Sequence, residues 1–323
     1  MLVGFLLNLA RGFAMGSADI VPGVSGGTVA LVLGIYERLI GSIRAGSRSL
    51  GLLLKLDLRG FRAWMSAVDW AFIIPLGAGI LLAIAALARI IQQLLEEQAE
   101  LMAAVFLGLV AGSVVVAWRL VRVPRPVHAI TIATVGLITF VLLGIRDGTT
   151  EESVVQAADP ELWAFFVSGA IAICAMILPG ISGSFLLVLL GMYGSVLAAV
   201  TERDFLILAV FMAGAVVGLA LFSQVLHVAL RRHHDIVLAV LIGLMAGSVR
   251  VVWPWPDGVD STVLGAPEGE VLAALAAAVI GFVVVVFIAR HAQRIEEGQP
   301  HPEAEPLAAA VSAEPREAAE SQA

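Results

Sequence analysis

Two apolar stretches of the chain carry the same interruption. Residues 18–40 read ADIVPGVSGGTVALVLGIYERLI, and residues 175–197 read AMILPGISGSFLLVLLGMYGSVL. Pro22-Gly23 matches Pro179-Gly180, Ser25-Gly26 matches Ser182-Gly183, Gly34 matches Gly191, and Tyr36 matches Tyr193. A second echo follows in the same order, LGLVAGSVVVAW at 107–118 and IGLMAGSVRVVW at 242–253, so the chain reads as two related halves. Proline lacks a backbone donor and clashes with the preceding helical turn, so each motif is predicted to break a helix into two arms. Any fold must therefore place two broken helices at corresponding points.

The apolar runs around the breaks set the environment. The chain is 60% hydrophobic and 14% charged, against about 25% charged in soluble domains. Several runs of about 18 or more residues are almost free of charge, long enough to cross a bilayer as helices. The expectation is an all-α integral membrane protein. Its net charge of −7 is concentrated at one end: from Gln293 onward, seven Glu face only Arg294 and Arg316. That Ala-, Glu- and Pro-rich tail, 293–323, reads as disordered. The nearly neutral body offers nucleic acid no basic surface, and the sequence implies no cofactor. Cys174 is the single cysteine, which excludes an intrachain disulfide or a cysteine metal cluster; it reads as a small apolar helix residue. The N-terminus does not have the pattern of a cleavable signal.

In chain order, the first half (1–145) opens with a hairpin at 1–40, arms Met1–Ser17 and Val24–Ile40. A basic loop with a short amphipathic helix follows at 41–66, then spans near 68–90, 100–120 and 128–145. An acidic linker at 146–161 leads to the second half (162–292). This repeats the plan with arms at 162–178 and on to Val200, then spans near 205–230, 236–252 and 268–290. The positive-inside rule assigns 41–66, 119–125, 231–234 and the tail to the cytoplasm, and the acidic links to the outside. The halves then have opposite orientation, an inverted-topology repeat in which each broken hairpin, read as re-entrant, precedes three spans.

The motif P-G-[VI]-S-G-[GS] suits a helix restart. Pro22, Gly23, Pro179 and Gly180 make the breaks, Ser25 or Ser182 caps the next helix, and small Gly26, Gly27 and Gly183 leave its amides open to a ligand. Helix N-termini favour anions, and the hydroxyls of Thr28 and Ser184 add donors. The ligand expected from the residues is an anion, with phosphate or carboxylate as its group. Arg11 is a further candidate contact for it, or a partner for Asp19. Asp19, whose counterpart is Met176, is a candidate for proton coupling; capping of the broken backbone is the alternative. Glu37 and Arg38 are placed at the mouth as gating candidates, with a surface ion pair as the plain reading. Gly12, Gly16, Gly34, Gly191, Gly214 and Gly218 read as helix-packing glycines. Arg89, Arg119 and Arg250 read as anchors near span ends. No metal site is expected.

A serine hydrolase is a competing reading, since Gly23–Gly27 fits G-x-S-x-G. It needs a base near the serine, and His128 and His227 both fall near span ends. A nucleophile also has no reason to occur twice.

D-I-V-P-G-V-S-G-G-T at 19–28 with L-G-I-Y-E-R-L-I at 33–40 resembles the signature of the prokaryotic polyprenyl-phosphate transporter family. L-P-G-I-S-G-S at 178–184 with G-M-Y at 191–193 is similar to that family's second half. The resemblance covers about residues 1–290 in layout. It implies a multi-pass protein of the prokaryotic plasma membrane that returns undecaprenyl phosphate, or a related lipid, from the outer to the cytoplasmic leaflet for reuse in cell-envelope polymers. It leaves open whether the protein forms homo-oligomers. A transporter of a small soluble anion is the alternative.

Overall fold

The computed structural model describes residues 2–21, 24–144, 160–256, 258–259 and 263–297. Pro22 and Gly23, most of the linker expected at 146–161, and the tail beyond 297 lie outside the described residues. All regular structure among the described residues is helical. Among the described residues five helices are long and apolar enough to cross a membrane, and the chain is a multi-pass integral membrane protein.

Both predicted breaks are present. Helix α1 (Leu2–Asp19) stops before α2 (Gly26–Val32), and α8 (Leu162–Ile177) stops before α9 (Gly183–Leu189). At the second break Pro179 is buried and Gly180 takes a φ of +83°, a conformation open to glycine at no steric cost.

The second arms are not continuous, contrary to the expectation for 24–40 and 181–200. Helix α2 gives way to α3 (Tyr36–Leu54), and α9 to α10 (Tyr193–Thr201). Gly34 (φ +74°) and Gly191 (φ +68°) stop the first helix of each pair. Ile35 N–H donates to Ala30 C=O and Gly34 N–H to Leu31 C=O; Met192 and Gly191 repeat the pattern onto Leu187 and Val188. These are paired helix-terminating bonds around a left-handed glycine. Gly34 and Gly191 therefore end helices rather than pack them.

The basic segment 41–66 is also more ordered than a loop. Helix α3 continues through most of it, and α4 (Leu58–Ser66) follows, its first turn capped by Asp57 Oδ1 accepting from Gly60 N–H at 2.9 Å. Apolar residues at helical spacing let this strongly charged stretch lie along the body: Ala45, Trp64 and Val68 form a small buried cluster beneath it.

Long helices α5 (Trp70–Glu97), α6 (Ala99–Trp118), α7 (Pro126–Gly144), α11 (Phe205–Ser248) and α12 (Val271–Glu297) complete the body. Helix α11 would extend about 66 Å at 1.5 Å per residue, twice the hydrocarbon thickness. It bends at His233 (φ −137°, ψ 48°), between the spans expected at 205–230 and 236–252.

Glycine decides which helices meet. A Cβ on Gly12 or Gly16 would collide with the backbone of α5, and one on Gly79 with that of α1. Gly169, Gly214 and Gly218 hold α8 against the first part of α11 in the same way. Gly108 and Gly281 join α6 to α12, and Gly243 and Gly247 join the last part of α11 to α7. The first two contacts lie within a half of the sequence, and the other two cross between halves. Close backbone approach is the main source of helix association where lipid removes any hydrophobic gain.

Candidate functional site

Helix α2 sits in the middle of the largest core. Ala30, Leu31, Leu33, Ile35, Tyr36 and Ile40 pack with Phe72 and Leu76 of α5 and with Leu226, Leu230, Leu238, Leu241, Ile242 and Met245 of α11. This packing fixes the motif of the first half. Ser25, extended at φ −126° and ψ 138°, caps α2 by accepting from Gly27 N–H at 3.1 Å. Thr28 is buried, and its N–H donates to Ser25 C=O at 2.9 Å. The Gly26 amide goes to Asp19, whose Oδ1 accepts from it at 2.6 Å. A carboxyl group already sits on the helix start, and it belongs to the chain.

The motif of the second half differs. Ser182 is extended in the same way, at φ −94° and ψ 136°, but makes no side-chain cap. Its hydroxyl instead pairs with that of Ser184 at 2.7 Å, and Ser184 is exposed. Where Asp19 borders Gly26, the thioether side chain of Met176 borders Gly183. Sequence alignment of Asp19 with Met176 thus corresponds to equivalent places in space. Methionine offers no charge to the helix start.

The two motifs touch. Ser25 Oγ donates to Met176 C=O at 3.2 Å, and Tyr36 Oη donates to Ile177 C=O at 3.1 Å. A Cβ on Gly27 would meet the Ile177 oxygen at 2.8 Å. The final carbonyls of α8, left without helical partners by the break, are therefore held by donors from the first half. Each neutral bond of this kind contributes about 1 kcal/mol, and leaving the carbonyls bare away from water would cost more. Residue patterns alone had not assigned this clasp. The signal was available: both tyrosines of the chain occupy matching motif positions.

The remaining predicted residues are spread out. Arg11 is buried in α1, where its Nη1 donates to Asn8 Oδ1 at 3.1 Å. It precedes Asp19 by eight residues, about 12 Å of helical rise. Asn8 bonds onward to Ala71 C=O at 3.4 Å, at the start of α5. Arg38 donates to Asp69 through Nε at 2.9 Å and lies 4.4 Å from the centre of the Phe72 ring. Glu37 meets His234 at 3.0 Å. Arg38 and Glu37 thus fasten α3 to α5 and to the bend of α11. His234 contacts Asp235 as well, and the Asp235 carboxylate accepts from the amides of Arg122 and Val123 at 3.0 Å each. The short stretch past the end of α6 is tied to the α11 bend by that one side chain. For a hydrolase, Ser25 is poorly placed: its hydroxyl donates to a carbonyl where the mechanism would require a base.

Broken helices meeting inside a multi-pass membrane body, with small residues and hydroxyls at the junction, are a feature of the binding sites of secondary transporters. Comparison with known proteins gives the family. Residues 15–272 match the family model described as undecaprenyl phosphate translocase-like, and the chain belongs to that family. It is 38% identical over 255 residues to a polyprenyl-phosphate transporter of Vibrio cholerae, covering 79% of this chain and 80% of that protein. It is 30% identical over 296 residues to a polyprenyl-phosphate transporter of Staphylococcus aureus, covering 88% and 96%. No solved structure matches the chain.

Proposed function

We propose that the protein carries a polyprenyl phosphate, undecaprenyl phosphate or a close relative, from the outer to the cytoplasmic leaflet of the prokaryotic plasma membrane. The returned lipid would serve again as a carrier for cell-envelope polymers. The halves act as inverted repeats with re-entrant hairpins, and the phosphate is handled by Ser25–Thr28, which rest against the end of α8, together with Ser182–Ser184. The polyprenyl tail stays in lipid while only the head crosses, which avoids exposing a bare charge to the hydrocarbon.

The observation that carries this reading is the contact of the two motifs through Ser25 and Tyr36 on the α8 carbonyls. A single junction between two broken helices is the arrangement expected of alternating access. The open hydroxyls of Ser182 and Ser184 make the second motif the first point of phosphate contact. The first motif opens only when Asp19 leaves the Gly26 amide, through protonation or displacement by the substrate. Arg11, Glu37 and Arg38 position α1 and α3 for that change.

The test is reconstitution of the purified chain in liposomes with polyprenyl phosphate in one leaflet, scored by head-group accessibility over time. Transport faster than in protein-free liposomes, and reduced by Ser182→Ala/Ser184→Ala, is the expected result. A soluble-anion transporter would instead take up free phosphate and leave the lipid where it was.

A further inference from the structure

We propose that the seam between α3 and α11 is a second anion site, shaped for the phosphate of a monoester or of an acidic lipid headgroup, with Arg44, His227 and Arg231 as its donors. Three observations lead there: which residues face one another, which charges are already matched, and where space remains.

Glu37, Gly41, Arg44 and Arg48 recur every three or four residues along α3, and so share one face. His227 and Arg231 do the same on α11, one turn apart before its bend at His233. The contact of Glu37 with His234 at 3.0 Å pins one end of the seam. From that point the two helices run in opposite senses. Arg44 lies within electrostatic reach of Arg48 and Arg231, and His227 within reach of Arg44, Arg231 and Glu37. Three guanidinium groups and the imidazoles of His227 and His234 therefore share a seam with one carboxylate.

The nearby acids are already engaged. Glu37 is held by His234, Asp235 by His234 and two amides, and Asp69 by Arg38. Arg48 rests over the Trp64 ring, 4.5 Å from its centre. Arg44 Nε and His227 Nε2 are shielded from solvent and have no hydrogen-bond partner among the described residues. A buried donor without an acceptor is costly, and like charges crowded together add to that cost. An oxyanion relieves both at once.

There is room for it. Apart from its own stretch of α3, nothing lies within 4 Å of where a Cβ on Gly41 would stand, one helical turn after Glu37 and one before Arg44. Guanidinium forks match the oxygens of phosphate in spacing and direction, and two of them with an imidazole suit a dianion better than a single carboxylate. The seam belongs to the basic face that the positive-inside rule assigns to the cytoplasm, where acidic headgroups and phosphate esters are both at hand.

The experiment uses the full chain in phosphatidylcholine nanodiscs at constant ionic strength, with Tm as readout. One arm adds inorganic phosphate; the other replaces some of the lipid by phosphatidic acid without free phosphate. A ligand held by the folded protein raises Tm in a saturable manner. Saturation in the first arm identifies a soluble phosphate site, and saturation in the second alone a headgroup site. Arg44→Gln/Arg231→Gln should weaken the midpoint about tenfold or more. Gly41→Glu should raise Tm without ligand and abolish the response, because it tethers a carboxylate in the open space. This second variant keeps both arginines, so it remains decisive if the first fails to fold. Ser182→Ala/Ser184→Ala, which alters the transport junction, should leave the response intact. The site is overturned if the parent shows no saturable rise in either arm, if Gly41→Glu responds like the parent, or if the response disappears in the Ser182/Ser184 variant.

Discussion

At the first break a carboxylate from residue 19 holds the Gly26 amide at 2.6 Å, and Ser25 holds Gly27. At the second break the corresponding place belongs to Met176, 47% exposed, and the two serines bond to each other. The surroundings differ in the same sense. Helix α2 is buried along nearly its whole length, whereas Ser184, Leu189 and Leu190 of the second motif are exposed. One motif thus supplies a self-capped, packed support, and the other an open end resting on it. The lesson is that a repeated sequence need not give two copies of one site. A single exchange, Asp for Met, leaves one helix start capped by a carboxyl group of the chain and the other without one.

The largest expected effect comes from filling the closed motif. Gly27→Leu would drive a side chain into the Ile177 carbonyl, with a stability loss of about 3 kcal/mol or more and loss of lipid transport. Ser184→Leu, on the exposed side, should cost less than about 1 kcal/mol in stability, though it too should slow transport. Denaturation in mild detergent alongside the liposome assay checks both. Equal destabilisation by the two variants would remove the contrast between packed and open motifs.

Next comes the exchange at the matching positions. Asp19→Ala leaves the Gly26 amide without its acceptor, at a cost of about 1–3 kcal/mol. Met176→Asp should do the reverse, capping the second helix and slowing phosphate transport by blocking it. If Met176→Asp transports at the parental rate, the open second motif is not the point of phosphate contact. Asp19→Asn sharpens the same point. It should retain transport but lose the response to an imposed pH gradient, measured at matched protein content; identical responses from parent and variant would reduce Asp19 to a cap.

The smallest effects are those of single hydroxyls. Ser25→Ala removes a cap and should cost about 1 kcal/mol. Ser182→Ala, where no cap is made, should change stability by no more than a few tenths of a kcal/mol. Thermal unfolding of the pair compares them directly. A larger loss at Ser182 than at Ser25 would reverse the assignment of support and open end.

Sequence alone established much of this protein, because its strongest signals are local. Uncharged runs make membrane helices, and Pro179-Gly180 and Ser25-Gly26 mark breaks and restarts through backbone chemistry that needs no partner. The spans and the packing roles of Gly12, Gly16, Gly214 and Gly218 follow from the same kind of reasoning. Local pattern failed where two outcomes share one residue type. Glycine permits both close packing and a left-handed turn, so the sequence reads Gly34 and Gly191 as packing residues, whereas their φ values and carbonyl partners make them helix ends. The basic run at 41–66 shows its short amphipathic helix in the pattern but not the continuation of α3 through most of the segment, because charge density hides the apolar face that Trp64 and Ala45 bury. Long-range pairing was beyond any local reading. That Ser25 and Tyr36 reach the α8 carbonyls, 151 and 141 residues away, and that Asp19 occupies an amide offered to a ligand, depends on how α2 is wedged among α1, α6 and α8. Those contacts are set by the packing of separate helices, and no residue's neighbours along the chain encode them.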